Sequence, residues 1–262
     1  MLPPSAAPET AMPIVVFTDL DDTLFQTARK VPGALLARSV RAAQAVNGHH
    51  SYQTPAQIAL FGWLNAAEIV PVTARGSEAF GRVGLPFRGP AIVANGAVIL
   101  DADGTADTEW QAVIVDALAA HRIALNALPA LAQAEAARLG MGIRTWLVEE
   151  AGCGGVYHVV KVEPGTPETA LHDLAPALYA AVNTGTDTWV RHINGNNLAL
   201  IPPCLSKAAA TAFLLRRMRK AREVFAVGFG DSSSDLDFMR LCDVWMTPTG
   251  SQLDRLFSRN PE

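Results

Sequence analysis

Little in this sequence could staple or anchor a fold covalently. Its three cysteines, Cys153, Cys204 and Cys242, are odd in number, far apart and without a C-x-x-C pair. Neither a disulfide framework nor a cysteine zinc site is therefore expected. No H-E-x-x-H or comparable histidine spacing offers a zinc site of another kind. No apolar run approaches the length of a membrane span, and no repeat or low-complexity tract breaks the chain. Basic residues are short as well: 21 Lys and Arg against 25 Asp and Glu leave a net charge of −4. That balance gives no electrostatic reason to expect nucleic acid or an acidic membrane as a partner. The opening "MLPPSAAPETAMP" lacks a basic start followed by an apolar core, so it does not read as a secretory signal. A disordered leader over residues 1–12 and a cytoplasmic protein are the expectations.

What remains is a globular composition of 262 residues, half of them hydrophobic, with a mean hydropathy of +0.18. That length suffices for one large domain or two modest ones. "PIVVFTD", "EIVPVTA", "AIVANGAVIL" and "REVFAVGFGD" are short apolar runs rich in β-branched residues, and "VWMT" is a shorter one. Such runs suit strands buried on both faces. Helical segments at 55–67, 77–82, 206–222 and 236–241 separate them. The alternation predicts an α/β fold with a doubly wound, Rossmann-like parallel sheet.

The middle of the chain differs. Helices are expected at 110–139 and 167–182, and strands at 141–150, 155–163, 188–194 and 197–202. These strands alternate polar and apolar residues, as in a sheet with one open face. The pattern predicts an inserted α+β cap over 105–202 within a core of 1–104 and 203–262. Asn47-Gly48 is a turn signal between two short strands, so a flap hairpin is expected over 41–54.

The polar residues that stand out in the outer domain follow its strands: Asp19 and Asp21, then Thr73, then Asp231 and Asp235, with Lys207 opening the helix before the last of these. Parallel strands gather their carboxyl ends, so these residues should converge in one crevice. Two carboxylates about 4 Å apart repel by roughly 4 kcal/mol at an effective dielectric near 20. A cluster of them needs a cation, and oxygen ligands without His or Cys point to magnesium. A lysine adds further positive charge. Acids, metal and lysine together make a receptacle for a phosphoryl group, whose oxygens need neutralising before an anion can attack.

"DLDDT" matches the D-x-D-x-T signature of the haloacid dehalogenase superfamily of phosphohydrolases, with Asp19, Asp21 and Thr23 in its three places. "PVTAR", "LSK" and "GDSSSD" resemble its remaining motifs in the required order. An insertion between the second motif and the lysine, preceded by "VANGAVI", is similar to the branch of Cof-like, sucrose-phosphate and mannosyl-3-phosphoglycerate phosphatases. The resemblance implies that Asp19 is a nucleophile and Asp21 a general acid and base. It implies Mg2+ on a carboxylate oxygen of Asp19, the backbone carbonyl of Asp21 and the Asp231 side chain, with Asp235 binding directly or through water. Thr73, Ala74 and Lys207 would hold phosphate, and Thr23 would orient Asp21. Two positions depart from the branch: Ala74 stands where glycine is common, and Ser234 where asparagine is.

Other residues invite plainer readings. Asp22 reads as a solvent-facing acid, His121 and His172 as surface residues of the cap helices, and His49 and His50 as exposed loop residues. Arg75 either serves the site or pairs with an acid, and Asn95 either turns the chain or touches the site. "GFGDSS" lacks the third glycine of a dinucleotide loop. In the cap, period-two alternation puts Arg144 with Trp146, Lys161 with Tyr157 and Arg191 with Trp189. If those sides coincide, a basic and aromatic surface faces the crevice, suited to a phosphorylated sugar or similar metabolite. The expected activity is phosphomonoester hydrolysis. A phosphosugar mutase or a catalytically silent phospho-ligand sensor are the alternatives.

Overall fold

Ile14–Thr18 organises the molecule. It is buried from Val15 onward and has a parallel neighbour on each edge. A strand covered on both faces has no side to leave polar, which is why its run is uninterrupted. In the computed structural model, which describes residues 12–46, 48–183 and 188–258, Phe225–Phe229 flanks this strand on one side and Glu68–Pro71 on the other. Val244–Met246 lies beyond Phe225–Phe229, and a bridge from Val72 to Ile92 brings Ala91–Val93 to the opposite edge. Alternate residues face opposite layers. Val15 and Phe17 pack in one cluster with Phe213 and Leu214 of the helix Lys207–Ala221. Val16 packs in another with Phe61 and Leu64 of Pro55–Leu64. Helices thus cover both faces, the doubly wound arrangement expected from the sequence. The expected leader lies outside the described residues apart from Met12.

A second sheet, antiparallel, runs in the order Val190–Asn194, Asn197–Ile201, Gly154–Val162, Ile143–Glu150. Arg122–Leu139 and Leu171–Val182 pack across it. The helix expected at 110–139 is in fact two, Thr108–Ala119 and Arg122–Leu139, meeting at 67°. The two have different partners, which accounts for the break. Trp110 donates its indole N–H to Gly96 O at 2.9 Å, on the core. Arg122 donates to Gly155 O and Cys153 O at 2.6 and 2.9 Å, on the cap sheet. Among the described residues, no single helix is long and apolar enough to cross a membrane.

Two more segments depart from the expected pattern. "AIVANGAVIL" is not one strand but a tight antiparallel pair, Ala91–Val93 with Val98–Leu100. Ala94, Asn95 and Gly96 turn it with φ of 50°, 57° and 90°. Around the expected flap, Val40–Ala43 pairs with Ser51–Gln53, and Gln26–Thr27 adds a third strand beside the latter. Ala43 lies opposite Ser51, so the connection spans residues 44–50. Asn47, half of the turn signal, lies outside the described residues. His50 serves this connection by accepting from Ala45 N through Nδ1 at 3.1 Å.

Gly96 is required on two counts. Its φ is one that other residues adopt with strain, and a Cβ there would lie 2.3 Å from Ser206 O, just before Lys207. Gly96→Ala is expected to cost about 2 kcal/mol or more in urea unfolding; a variant as stable as the wild type would contradict this packing.

His158 is fully buried in the cap, with Nε2 2.5 Å from Thr145 Oγ1 and no partner for Nδ1 among the described residues. Burial lowers its pKa to about 4, against about 6.5 in an unfolded chain. The unfolded state therefore binds the extra proton first. The associated stability is complete above about pH 6.5 and lost as pH falls toward 4, to a total of about 3 kcal/mol. Wild type should lose stability relative to His158→Leu across that window. Parallel pH dependences for the two proteins would rule the effect out.

Candidate active site

The carboxyl ends of the parallel strands meet around one lysine. Asp19 leaves Ile14–Thr18 with its N–H on Phe229 O at 2.8 Å, which ties it to the neighbouring strand. Lys207 begins the helix Lys207–Ala221, capped by Ser206 Oγ, which accepts from Ala208 N and Ala209 N. Its Nζ donates to Asp19 Oδ1 at 2.7 Å and to Asp235 Oδ1 at 2.8 Å. The other oxygen of Asp235 accepts from Ser232 N and Ser232 Oγ, and Ser232 Oγ lies 2.8 Å from Ser234 Oγ. Ser234 thus takes part in the network that fixes Asp235.

Oxygens of Asp19, Asp231 and Asp235 lie within 4.8 Å of one another. Burial raises the pKa of Asp19 well above the usual carboxylate value, with Lys207 opposing the shift and Asp235 and Asp21 adding to it. Asp231 rises to about 7 through burial and the charges of Asp235 and Asp22. Burial works against the charge on Lys207, yet Asp19 and Asp235 together hold its pKa above the ordinary lysine value. Three carboxylates thus crowd a single lysine, and the cluster offers only oxygen donors. That donor set fits a divalent hard cation. The Asp21 carboxylate stands outside this group.

Asp21 is instead gripped by Arg75, whose Nε and Nη2 donate to its two oxygens at 2.7 Å each. Arg75 therefore both pairs with an acid and belongs to the site. Thr23, expected to orient Asp21, lies instead against two other acids of the site. Its hydroxyl lies 3.4 Å from Asp19 Oδ2 and 3.4 Å from Asp231 Oδ1. The peptide between Ala74 and Arg75 is pinned at both ends. Tyr157 of the cap donates its hydroxyl to Ala74 O at 2.8 Å, and Arg75 N donates to Thr73 Oγ1 at 3.1 Å. Thr73 Oγ1 is engaged as an acceptor there, which leaves its proton available to a ligand oxygen. Asp22 is not a lone solvent-facing acid. It occupies a left-handed turn position with φ of 64° and pairs with Lys30.

Two adjoining cavities, about 990 and 750 Å³, share Asp21, Ala74, His192 and Lys207 in their walls. Asp19, Thr73 and Asp231 line the first. The second runs between core and cap, and Asn95 lines it beside Thr73, whose O accepts from Asn95 N at 3.1 Å. The cap sheet presents Trp146, Tyr157, Val159, Lys161, Ala199 and His192 to that cavity. Arg144 is opposite Lys161 in the register and shares its face.

Arg191 does not join them. It is opposite Leu200, which is opposite the buried His158, so it belongs to the helix-packed face. There its guanidinium lies over Tyr179, 5.4 Å from the ring centroid. Trp189 is likewise buried, edge-on to His121 at 5.7 Å, so His121 is half-buried and not a simple surface residue. His172 is exposed as expected. His192, one position from Arg191, takes the cavity-facing place instead. Burial first, and then the charge of Lys207, lower its pKa. Alternation relates Arg191 to Trp189 but carries no signal for which side of that strand faces the core.

No protein-family model and no curated protein matches this chain. Solved structures do. Sucrose-phosphatase from Synechocystis, in complex with sucrose and phosphate, is 15% identical with a TM-score of 0.51, over 95% of this chain and 96% of that one. IMP-nucleotidase from Plasmodium falciparum, with IMP bound, is 12% identical with a TM-score of 0.53, over 95% of this chain and 67% of that one. A Thermoplasma acidophilum protein is 13% identical with a TM-score of 0.52, over 95% and 89%. At such identities the likeness is one of fold alone: this chain, a parallel core with a second, antiparallel sheet beside its strand ends, shares its architecture with the sucrose-phosphatase and the IMP-nucleotidase.

Proposed function

We propose that this chain is a Mg2+-dependent phosphomonoesterase that acts through an aspartyl-phosphate at Asp19, on a sugar phosphate or similar phosphorylated small metabolite. The observation that carries this reading is Lys207 bridging Asp19 and Asp235 in the wall of a cavity. A buried carboxylate paired with a lysine, beside two further acids and open to a large cavity, is suited to attack on an anion once charge is neutralised.

In this reading Asp19 Oδ attacks phosphorus and the ester oxygen leaves. Asp21 gives that oxygen its proton, then takes one from the water that hydrolyses the Asp19 acyl-phosphate. Arg75 holds both oxygens of the Asp21 carboxylate at rest, and one of them leaves the guanidinium when Asp21 carries the proton. Lys207, the Thr73 hydroxyl and the backbone at Ala74 hold the phosphoryl oxygens. Asp19, Asp231 and Asp235, with the backbone carbonyl of Asp21, would hold Mg2+, which supplies charge neutralisation when bound. The cap would keep bulk water from the acyl-phosphate. The likeness to a sucrose-phosphatase is in keeping with a sugar phosphate as substrate.

Phosphate release from p-nitrophenyl phosphate and a panel of sugar phosphates should require Mg2+ and fall at least about a thousandfold in Asp19→Asn. A folded, Mg2+-binding protein that releases no phosphate from any ester would contradict the reading. The metal site has a readout apart from turnover. A hundredfold excess of Mg2+ over its Kd should stabilise the protein by about 3 kcal/mol in thermal unfolding. Asp231→Asn should lose most of that gain, and an equal gain in both proteins would place the metal elsewhere.

A further inference from the structure

Six cations line the cavity between core and cap: Arg29, Lys30, Arg75, Arg82, Lys161 and Lys207. Five have carboxylate partners. Arg29 pairs with Glu168, Lys30 with Asp22, Arg75 with Asp21, Arg82 with Glu78, and Lys207 with Asp19 and Asp235. Lys161 pairs with no carboxylate among the described residues. Its cross-strand neighbours are Arg144 on one side and Asn197 on the other. Like charges directly opposite each other on a sheet face are destabilising. Burial, the charge of Arg144 and the charge of Arg29 all push the lysine toward its neutral form. The surrounding wall offers hydrogen-bonding groups, Asn194, Asn197 and His192, and the side chain of Trp146. A half-buried cation held among cations, in the wall of a cavity that also reaches Lys207, is a place where an anion removes an unfavourable term.

We propose that Lys161, with Arg144 beside it, forms a second anion subsite, so that the substrate is a phosphomonoester carrying another anionic group, a carboxylate or a second phosphate, at the end remote from Asp19. This deepens the phosphatase reading and rests on it for the identity of the first phosphate. The scissile phosphate lies at Asp19 and Lys207, the polar body of the molecule lies against Trp146 and the asparagines, and the remote anion meets Lys161. Sugars without that group fit the cavity but leave the lysine unpaired.

The test compares kcat/KM for three probes: 6-phosphogluconate with a remote carboxylate, fructose 1,6-bisphosphate with a remote phosphate, and glucose 6-phosphate with neither. Wild type should favour one of the charged probes over glucose 6-phosphate by about tenfold or more, the scale of a charge-assisted hydrogen bond. Whichever is favoured identifies the kind of anion. Lys161→Ala should bring that ratio close to one, and Lys161→Arg should keep most of it. No preference in wild type, or a preference that survives Lys161→Ala, overturns the subsite. If no ester is turned over, the phosphatase reading has failed separately, and calorimetric binding of the same three probes decides the subsite. Tighter binding of a charged probe that Lys161→Ala abolishes upholds it, and equal binding of all three overturns it.

Discussion

The contact between Lys207 and two carboxylates is the constraint on which the rest of the site depends. Asp19 and Asp235 are both buried, and each lies at the end of a different segment of the core. Breaking a buried charge pair by removing one partner typically costs 3–5 kcal/mol, about the scale at which a site would rearrange. The backbone is arranged to keep the lysine in place. Ser206 caps its helix, and Gly96 permits the turn after Ala91–Val93 to approach Ser206 closely. A glycine in a distant turn and a serine cap thus set the position of one ammonium group.

The cap acts on the same centre from the other side. Tyr157 reaches from the second sheet to Ala74 O, while Thr73 and Arg75 close the adjoining turn from within the core. Glu150 accepts from Ser77 N at 2.8 Å a little further along. Both cap contacts fall on the segment that follows the Glu68–Pro71 strand. The cavity between the two sheets is therefore walled on one side by the segment carrying Thr73 and Arg75, and on the other by His192 and Lys161.

The core was legible because its signals are local. Asp19, Thr73 and Asp231 follow unbroken β-branched runs, and parallel strands bring such ends together whatever the rest of the chain does. The cap was legible only as elements. Alternation relates residues within a strand, but the register that relates strands depends on turns and bulges, such as the one between Val148 and Glu149. The expectation that Arg191 faces the cavity holds only if the sides of the strands coincide, and the register gives that place to His192. The break at Ala120–His121 has no proline or glycine to mark it, whereas Pro129 lies inside an intact helix. Tertiary partners on either side of the break account for it. The pairings of Asp21 with Arg75 and of Asp22 with Lys30 likewise join residues whose partnership no spacing rule announces.

The central claim is that Asp19, and no other acid of the cluster, carries the phosphoryl group. Turnover with a sugar phosphate, quenched in acid and followed by borohydride reduction and peptide mass spectrometry, reads this directly, since an acyl-phosphate is reduced to homoserine. The account predicts homoserine at position 19 alone, and only in samples given substrate and Mg2+. Homoserine at position 21 or 231, or none under conditions of steady turnover, would contradict it.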